Sequence, residues 1–221
     1  MHGTRITPTP PTASLPRRRS LGETWPAIVG LILLAALWLG PLPAMSHYAF
    51  SIHMALHLGV TVIAAPLIAI GLTASGLGFS PPRRPWIAAI GASFFEMVVV
   101  WGWHIPAPYE AAIGSGALFV LQQASFLVAG MLVWMIAFAG NTRLHYVVGT
   151  LAMLMTFMHM TMLGVLLAVA QRLLYSPDLC LGVFGVQGLA NQQLGGALMA
   201  VGGGLPYLVG GTVLAYRAVA D

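Results

Sequence analysis

The histidines and methionines of this sequence are the residues most able to do chemistry. Five of the seven histidines are predicted to lie at or toward the same side of a membrane, where an ionisable side chain is costly and usually functional. They are His47, His53, His57, His104 and His159. Imidazole nitrogen and thioether sulfur, gathered without carboxylates, are the ligands that a soft metal ion such as Cu(I) prefers. The sequence therefore predicts a copper site built from histidine and methionine.

Two of these histidines lie four residues apart in the run HMALH. His53 and His57 therefore share one face of a helix, about one turn apart. This spacing suits two ligands of one metal ion, although two solvated histidines at a helix end would show it too. His104 ends another apolar segment, where Pro106 stops the helix. Tyr109 and two neighbouring tryptophans predict an aromatic belt at the membrane surface.

The fifth histidine lies within a methionine-rich run, MLMTFMHMTM. Met155, His159 and Met162 follow one another at i, i+4 and i+7, so they form one stripe on a helix. A methionine stripe often serves packing alone, but the histidine in its centre favours metal binding. The predicted metal ligands are therefore His53, His57, His104, His159, Met155 and Met162.

Other polar side chains are predicted to support this site. Glu96 lies near the middle of an apolar segment, where a carboxylate is either protonated or paired. Amides are weak metal ligands, so they are interpreted as hydrogen-bond partners that orient the histidines, or as links between helices. The predicted supporting residues are Glu96, Gln123, Asn191 and Gln192. Met45 and His47, in a loop before the HMALH run, are predicted to receive incoming copper.

The composition identifies an integral membrane protein. Of its 221 residues, 58% are hydrophobic and 6% are charged, against roughly 25% charged in soluble domains. The mean hydropathy is +0.87, and the apolar runs are continuous, which argues against a β-barrel. We predict an all-α transmembrane bundle with six spans, at about 25–42, 50–72, 86–103, 115–139, 145–171 and 191–216. Residues 175–188 are apolar but short and broken by glycine, which favours a re-entrant or interfacial piece over a seventh span.

The basic residues predict the orientation of the bundle. All nine are arginine, and with an internal N-terminus only Arg172 lies outside, so both ends are predicted to be cytoplasmic. Arginines placed beside the spans also argue against nucleic acid as a partner, despite the net charge of +4. Residues 1–24 predict a disordered cytoplasmic arm before a single transmembrane domain at 25–217. The alternative is a cleavable signal peptide at the first span, which would leave five spans.

Several short motifs, in order, resemble the CtaG-type cytochrome c oxidase assembly factors. The matching runs are HMALH, WHIPAPYEAA, FLVAGMLVW, LLYSP and NQQLGGALMAVGGGLPYL, which together extend from about His53 to Leu208. The sequence departs from that family's pattern at three positions. Gln123 stands where a histidine is common, Asn191 where an aspartate is common, and Ala200 where a tryptophan usually follows the methionine.

The resemblance implies a multi-pass protein of the bacterial inner membrane that assists the assembly of haem-copper oxidases. It singles out His53, His57, His104 and the NQQLGG run, and it implies copper as the cargo rather than an enzymatic activity. The implied partners are an oxidase subunit, a periplasmic copper donor and membrane lipid. Three alternatives stay open: a structural subunit or divergent member without metal, a b-type haem protein with axial histidines, and a copper or small-solute transporter.

Overall fold

The computed structural model describes residues 21–78, 80 and 82–220, which are almost entirely helical and contain no strand. The predicted all-α bundle is therefore confirmed. In chain order the helices are α1 (Leu21–Leu39), α2 (Leu42–Ser46), α3 (Phe50–Ala74), α4 (Pro85–His104), α5 (Pro106–Gly114), α6 (Gly116–Ala137), α7 (Arg143–Ala168) and α8 (Gly188–Ala220).

Five helices of the described chain are long and apolar enough to cross a membrane: α3, α4, α6, α7 and α8. Their bounds agree with five of the six predicted spans to within a few residues. The first span differs, because α1 offers only a shorter apolar stretch, Thr24–Leu39. This helix also begins at Leu21, inside the segment predicted to be a disordered arm. The rest of that arm, residues 1–20, lies outside the described residues.

The loops divide unequally between the two ends of the bundle. One end carries segments 40–49, 105–115 and 169–187, and we call it the loop-rich end. Arg172 lies there, whereas Arg83, Arg84, Arg143 and Arg217 all lie at the opposite end. By the positive-inside rule this distribution puts the loop-rich end outside, and that orientation stays a prediction.

Segment 169–187 crosses the loop-rich end without forming a span. It contains one short helical turn, Pro177–Leu179, and a bridge that pairs Cys180 with Ala49 just before α3. This segment covers the ends of the neighbouring helices, as expected for an interfacial piece. The prediction that it is not a seventh span is confirmed for the chain that the structure describes.

A widened π-helical turn at Gly59–Ala64 interrupts α3 one turn below His57. Pro66 follows this turn. It has no backbone N–H to donate, and in a regular α-helical turn its ring would clash with the carbonyl four residues earlier. The Thr61 carbonyl, which the widened turn leaves without its usual partner, accepts a hydrogen bond of 3.0 Å from Trp134 Nε1 on α6. The Thr61 hydroxyl donates to the His57 carbonyl over 2.9 Å. The π-turn therefore couples the segment that carries His57 to α6.

Helices α7 and α8 approach closely because small residues line their contact. A Cβ added at Gly164 would clash with the backbone nitrogen of Ala200 and would lie 2.8 Å from the Gly196 carbonyl oxygen. A Cβ added at Gly196 would clash in turn with the backbone at Ala168. Such small residues allow helices to pack backbone against backbone in a membrane. The close packing fixes α8, whose first turns reach the loop-rich end.

We expect Gly164→Val to destabilise the protein by at least the ~1–3 kcal/mol that overpacking costs. The reason is that α7 and α8 would have to move apart over several turns. Thermal unfolding in detergent measures the effect. The matched control is Gly91→Val, since a Cβ at Gly91 on α4 meets nothing within 4 Å. Equal melting temperatures for the two variants would contradict the close packing.

Candidate metal centre

Three of the predicted ligands come together at the loop-rich end. His53 and His57 lie in the first turns of α3, and His104 is the last residue of α4. All three are buried. The His104 ring centroid lies 5.8 Å from that of His53 and 5.6 Å from that of His57. We call these three residues the histidine triad.

Five of the six ring nitrogens of the triad have no hydrogen-bond partner in the described protein. These are both nitrogens of His53, both of His57, and Nε2 of His104. The exception is His104 Nδ1, which lies 2.5 Å from the Val100 carbonyl oxygen one turn earlier. Because a carbonyl only accepts, Nδ1 must carry the proton, and Nε2 of the neutral ring is left with a free lone pair. That is the form in which an imidazole binds a metal ion.

Aromatic side chains enclose the triad. Phe126 lies on α6. Its ring centroid is 4.1 Å from that of His57, 6.0 Å from that of His104 and 6.3 Å from that of His53. Tyr109 lies 4.9 Å from His53 and is fully buried, so it belongs to the site instead of to an aromatic belt. Sequence reasoning missed Phe126, because one phenylalanine among many on an apolar helix carries no signal of its own.

The spacing of the triad suits one metal ion, but the rings do not form a finished site. Three imidazoles around one ion, at a metal–nitrogen distance of about 2.0 Å, would have centroids about 5.5 Å apart. The spacings around His104 are close to this value. In the part of the chain that the structure describes, however, no group of three or more His, Cys, Asp and Glu is placed to hold a metal ion as it stands. Binding therefore requires at least a change of imidazole rotamers.

Two of the predicted supporting amides hold the backbone instead of orienting imidazoles. Asn191 Oδ1 accepts from the Ser51 amide, and its Nδ2 donates to the Ser51 hydroxyl over 2.8 Å, two residues before His53. Gln192 Oε1 accepts from the Leu174 amide over 2.7 Å, and its Nε2 donates to the Arg172 carbonyl. These amides tie the start of α8 to the start of α3 and to segment 169–187.

Segment 169–187 in turn contacts the triad. The Tyr175 hydroxyl donates to the His104 carbonyl over 2.8 Å. The Tyr175 ring also stacks on Phe50 at 4.5 Å and lies 4.7 Å from Tyr109. Burial raises the pKa of the Tyr175 hydroxyl above its ordinary value, which keeps it protonated as a donor. Gln192 therefore positions the triad indirectly, through the loop that carries Tyr175.

The other two supporting residues have neighbours other than the imidazoles in the described structure. Glu96 is fully buried, and its Oε1 accepts a hydrogen bond of 2.7 Å from the Tyr207 hydroxyl on α8. It precedes His104 by eight residues, about 12 Å along α4. Gln123 lines a separate cavity with Trp38 and Phe119. Neither residue bonds a histidine among the described contacts.

The remaining predicted ligands do not join the triad. His159, Met155 and Met162 line a cavity between α4 and α7 that none of the triad residues lines. No ring contact within the described chain links His159 to the other histidines. Met45 and His47 lie at the loop-rich end, where Met45 is half-buried and His47 is exposed against Phe119, with ring centroids 5.3 Å apart.

A family model described as "Cytochrome c oxidase caa3 assembly factor (Caa3_CtaG)" matches residues 12–221, nearly the whole sequence. The chain belongs to this family. No curated protein and no solved structure matches it. The resemblance drawn from the short motifs is therefore confirmed, and the described residues give this oxidase assembly factor a membrane bundle with a buried histidine triad at one end.

Replacing the amide that holds segment 169–187 tests its role in the assembly factor. Gln192→Ala removes the bonds to the Leu174 amide and the Arg172 carbonyl, and each such bond is worth about 0.5–1.5 kcal/mol. We expect amide hydrogen exchange at Leu174 and Tyr175 to become roughly two- to tenfold faster. The control is Gln171→Ala, because Gln171 is exposed and bonds only the Val169 carbonyl. Unchanged exchange in the Gln192 variant would contradict the proposed contact.

The single cysteine reports on the same segment. Burial raises the pKa of the Cys180 thiol to about 11, so at pH 8 the folded protein has far less thiolate than an unfolded chain. We expect alkylation by iodoacetamide at pH 8 to be about 100-fold slower in the native protein, and to accelerate as the pH rises toward 11. Mass spectrometry measures the modified fraction. Equal rates before and after unfolding would show that Cys180 is not buried against Ala49.

Proposed function

We propose that this assembly factor binds Cu(I) through His53, His57 and His104 and passes it to a haem-copper oxidase. The observation that carries the proposal is the set of five buried imidazole nitrogens without a partner in the described protein. Each unpaired buried polar atom costs about 1–3 kcal/mol. Leucine at these positions would fill the space without that cost. A ligand that binds all three rings accounts for their presence.

The chemistry of the triad favours Cu(I) as that ligand. The rings are neutral nitrogen donors, and no carboxylate contacts them among the described residues, so hard ions such as Mg²⁺ and Ca²⁺ lack their oxygen ligands. Three soft or borderline donors are a sufficient set for Cu(I). Transfer of the ion is an exchange of ligands, with no covalent bond of a substrate made or broken. The proposed role is accordingly a non-enzymatic one.

The position of the triad supports transfer at the periplasmic side of the bacterial inner membrane. The triad lies at the loop-rich end, opposite four of the arginines. Met45 and His47 lie at the same end, and we propose that they receive copper from a periplasmic donor. The accepting partner is a subunit of the oxidase, which the family description supports.

Haem is less well supported than copper as the ligand of the triad. A b-type haem needs a flat space between two facing imidazoles. Phe126 lies within 6.3 Å of all three rings and occupies the region beside them. A copper ion needs only rotated rings, whereas a porphyrin needs this aromatic side chain to leave.

Metal analysis of the detergent-purified protein tests the copper proposal. We expect the double variant His53→Ala/His57→Ala to lose one Cu(I) per chain relative to the wild type, measured anaerobically by competition with a Cu(I) chelator. His145→Ala is the matched control, since His145 lies at the opposite end and bonds Thr142. In cells, the double variant should lower the amount of assembled oxidase while His145→Ala leaves it unchanged. Equal copper content in the wild type and the double variant would refute the triad as a copper site.

A volume-matched substitution separates loss of copper from loss of folding. His57→Leu removes two unpaired polar atoms from the buried site. We therefore expect the metal-free variant to unfold at a temperature equal to or above that of the metal-free wild type. The same variant should bind Cu(I) at least tenfold more weakly. A large drop in the melting temperature would mean that the His57 ring is a structural part of the core.

A further inference from the structure

A second cluster of soft donor atoms lies apart from the triad. A cavity of about 510 Å³ opens between α4 and α7 toward the outside of the bundle. Among its lining residues are His159 and four methionines, Met97, Met155, Met158 and Met162. Four of the twelve methionines of the chain therefore line one cavity.

The donors line one cavity from two helices. Met155, His159 and Met162 follow at i, i+4 and i+7 on α7 and form one stripe. Met97 reaches the same cavity from α4. His159 is only 5% exposed, and neither nitrogen of its ring has a hydrogen-bond partner in the described chain. A buried ring with two unpaired nitrogens beside thioethers is the second observation that points to a ligand.

The cluster is too far from the triad to share one ion with it. Met97 precedes His104 by seven residues, which corresponds to about 10 Å along α4. Ligand bonds to a metal ion are about 2.0–2.3 Å long. An ion held by Met97 and His159 is therefore a different ion from one held by His104.

The chemistry of the cluster selects a soft cation. Thioether sulfur and imidazole nitrogen together favour Cu(I). The two hydroxyls that line the cavity, of Ser93 and Thr161, already have partners and so offer little to a hard ion. Ser93 is bonded to the Thr156 hydroxyl over 3.0 Å, and Thr161 donates to the Ala200 carbonyl over 3.4 Å. The surroundings are otherwise apolar, and an apolar cavity of this size would also suit a lipid acyl chain.

We propose that His159, Met97, Met155 and Met162 form a second Cu(I) site, separate from the triad and open to the lipid-facing side. The exposed fractions of Met158 and Met162, 67% and 51%, place thioethers at the outer surface of the bundle. An ion bound there is accessible to a membrane helix of a partner packed against α4 and α7. Binding at this site does not depend on the triad. Its use as the exit for the cargo rests on the proposed function.

Copper stoichiometry and X-ray absorption of anaerobically loaded protein test the second site. We expect two Cu(I) per chain in the wild type, with sulfur as well as nitrogen scatterers. The triple variant Met97→Leu/Met155→Leu/Met162→Leu should bind one Cu(I) and show no copper–sulfur scattering. Leucine closely matches the volume of methionine, so this change should be tolerated. Met153→Leu is the control, because Met153 lies on the same helix but does not line the cavity. His159→Leu should likewise lower the stoichiometry by one.

The outcomes separate the second site from the triad. In His53→Ala/His57→Ala the remaining Cu(I) should keep its sulfur scatterers, which would support the second site even if oxidase assembly were unaffected. A wild type with no copper–sulfur scattering, or a triple variant that retains it, would overturn the second site while leaving the triad untouched. Copurified lipid in the cavity together with a stoichiometry of one would show that it takes an acyl chain. A wild type that binds no Cu(I) would overturn both sites.

Discussion

The constraint on which this structure depends is that polar groups within a membrane must find their partners inside the protein. Most polar side chains of the spans obey it: Trp134 bonds the carbonyl that a π-turn sets free, Tyr207 bonds Glu96, and Ser93 bonds Thr156. The four buried histidines, His53, His57, His104 and His159, depart from it most, since seven of their eight ring nitrogens have no partner among the described residues. The indole nitrogens of Trp38 and Trp101 and the Tyr109 hydroxyl are unpaired as well. The histidines therefore differ from the paired hydroxyl, indole and carboxyl groups of the same bundle. So many unpaired nitrogens on four buried rings indicate imidazoles that are kept for another molecule.

The elements around the triad serve to hold its backbone while leaving its rings free. Asn191 bonds the first turn of α3, Gln192 bonds the loop that carries Tyr175, and Tyr175 bonds the last carbonyl of α4. The start of α8 is thus the common support of both helices that carry the triad. Its position is set in turn by the close contact between α7 and α8, in which Gly164 of α7 meets the backbone of α8 and Gly196 of α8 meets the backbone of α7. The NQQLGG run therefore contributes to the site through its packing and its amides together, which a search for ligands alone would overlook.

Hydrophobic run length was enough to place the long helices, because each span needs about 20 apolar residues and the turns contain proline or glycine. The HxxxH spacing and the terminal position of His104 were enough to predict that the triad lies at one end of the bundle. The direction in which the stripe of α7 faces was not predictable, since a stripe on one helix does not say which neighbour it contacts. The sequence grouped His159 with the triad, whereas in the structure it lines a cavity that the triad residues do not line. Of the two roles predicted for the amides, Asn191 shows the link between helices. The bond of Gln192 to segment 169–187 was not predictable, because this segment has no periodicity and nothing in the sequence shows that its backbone needs donors and acceptors from α8. The burial of Tyr109 at the site was not predicted, because the short helix α5 that carries it begins at a proline, and this proline was interpreted as a helix end.

One chain of contacts runs through four helices without interruption. Glu96 on α4 bonds Tyr207 on α8, Tyr207 stacks on Trp134 of α6 at 5.0 Å, Trp134 bonds the Thr61 carbonyl on α3, and Thr61 bonds the carbonyl of His57. These contacts give a change at the Glu96 carboxylate a continuous route to the backbone of His57, over a distance that no single side chain spans. For genetics this means that a defect caused at Glu96 can be relieved on another helix, and second-site revertants should collect along this path instead of around the original lesion.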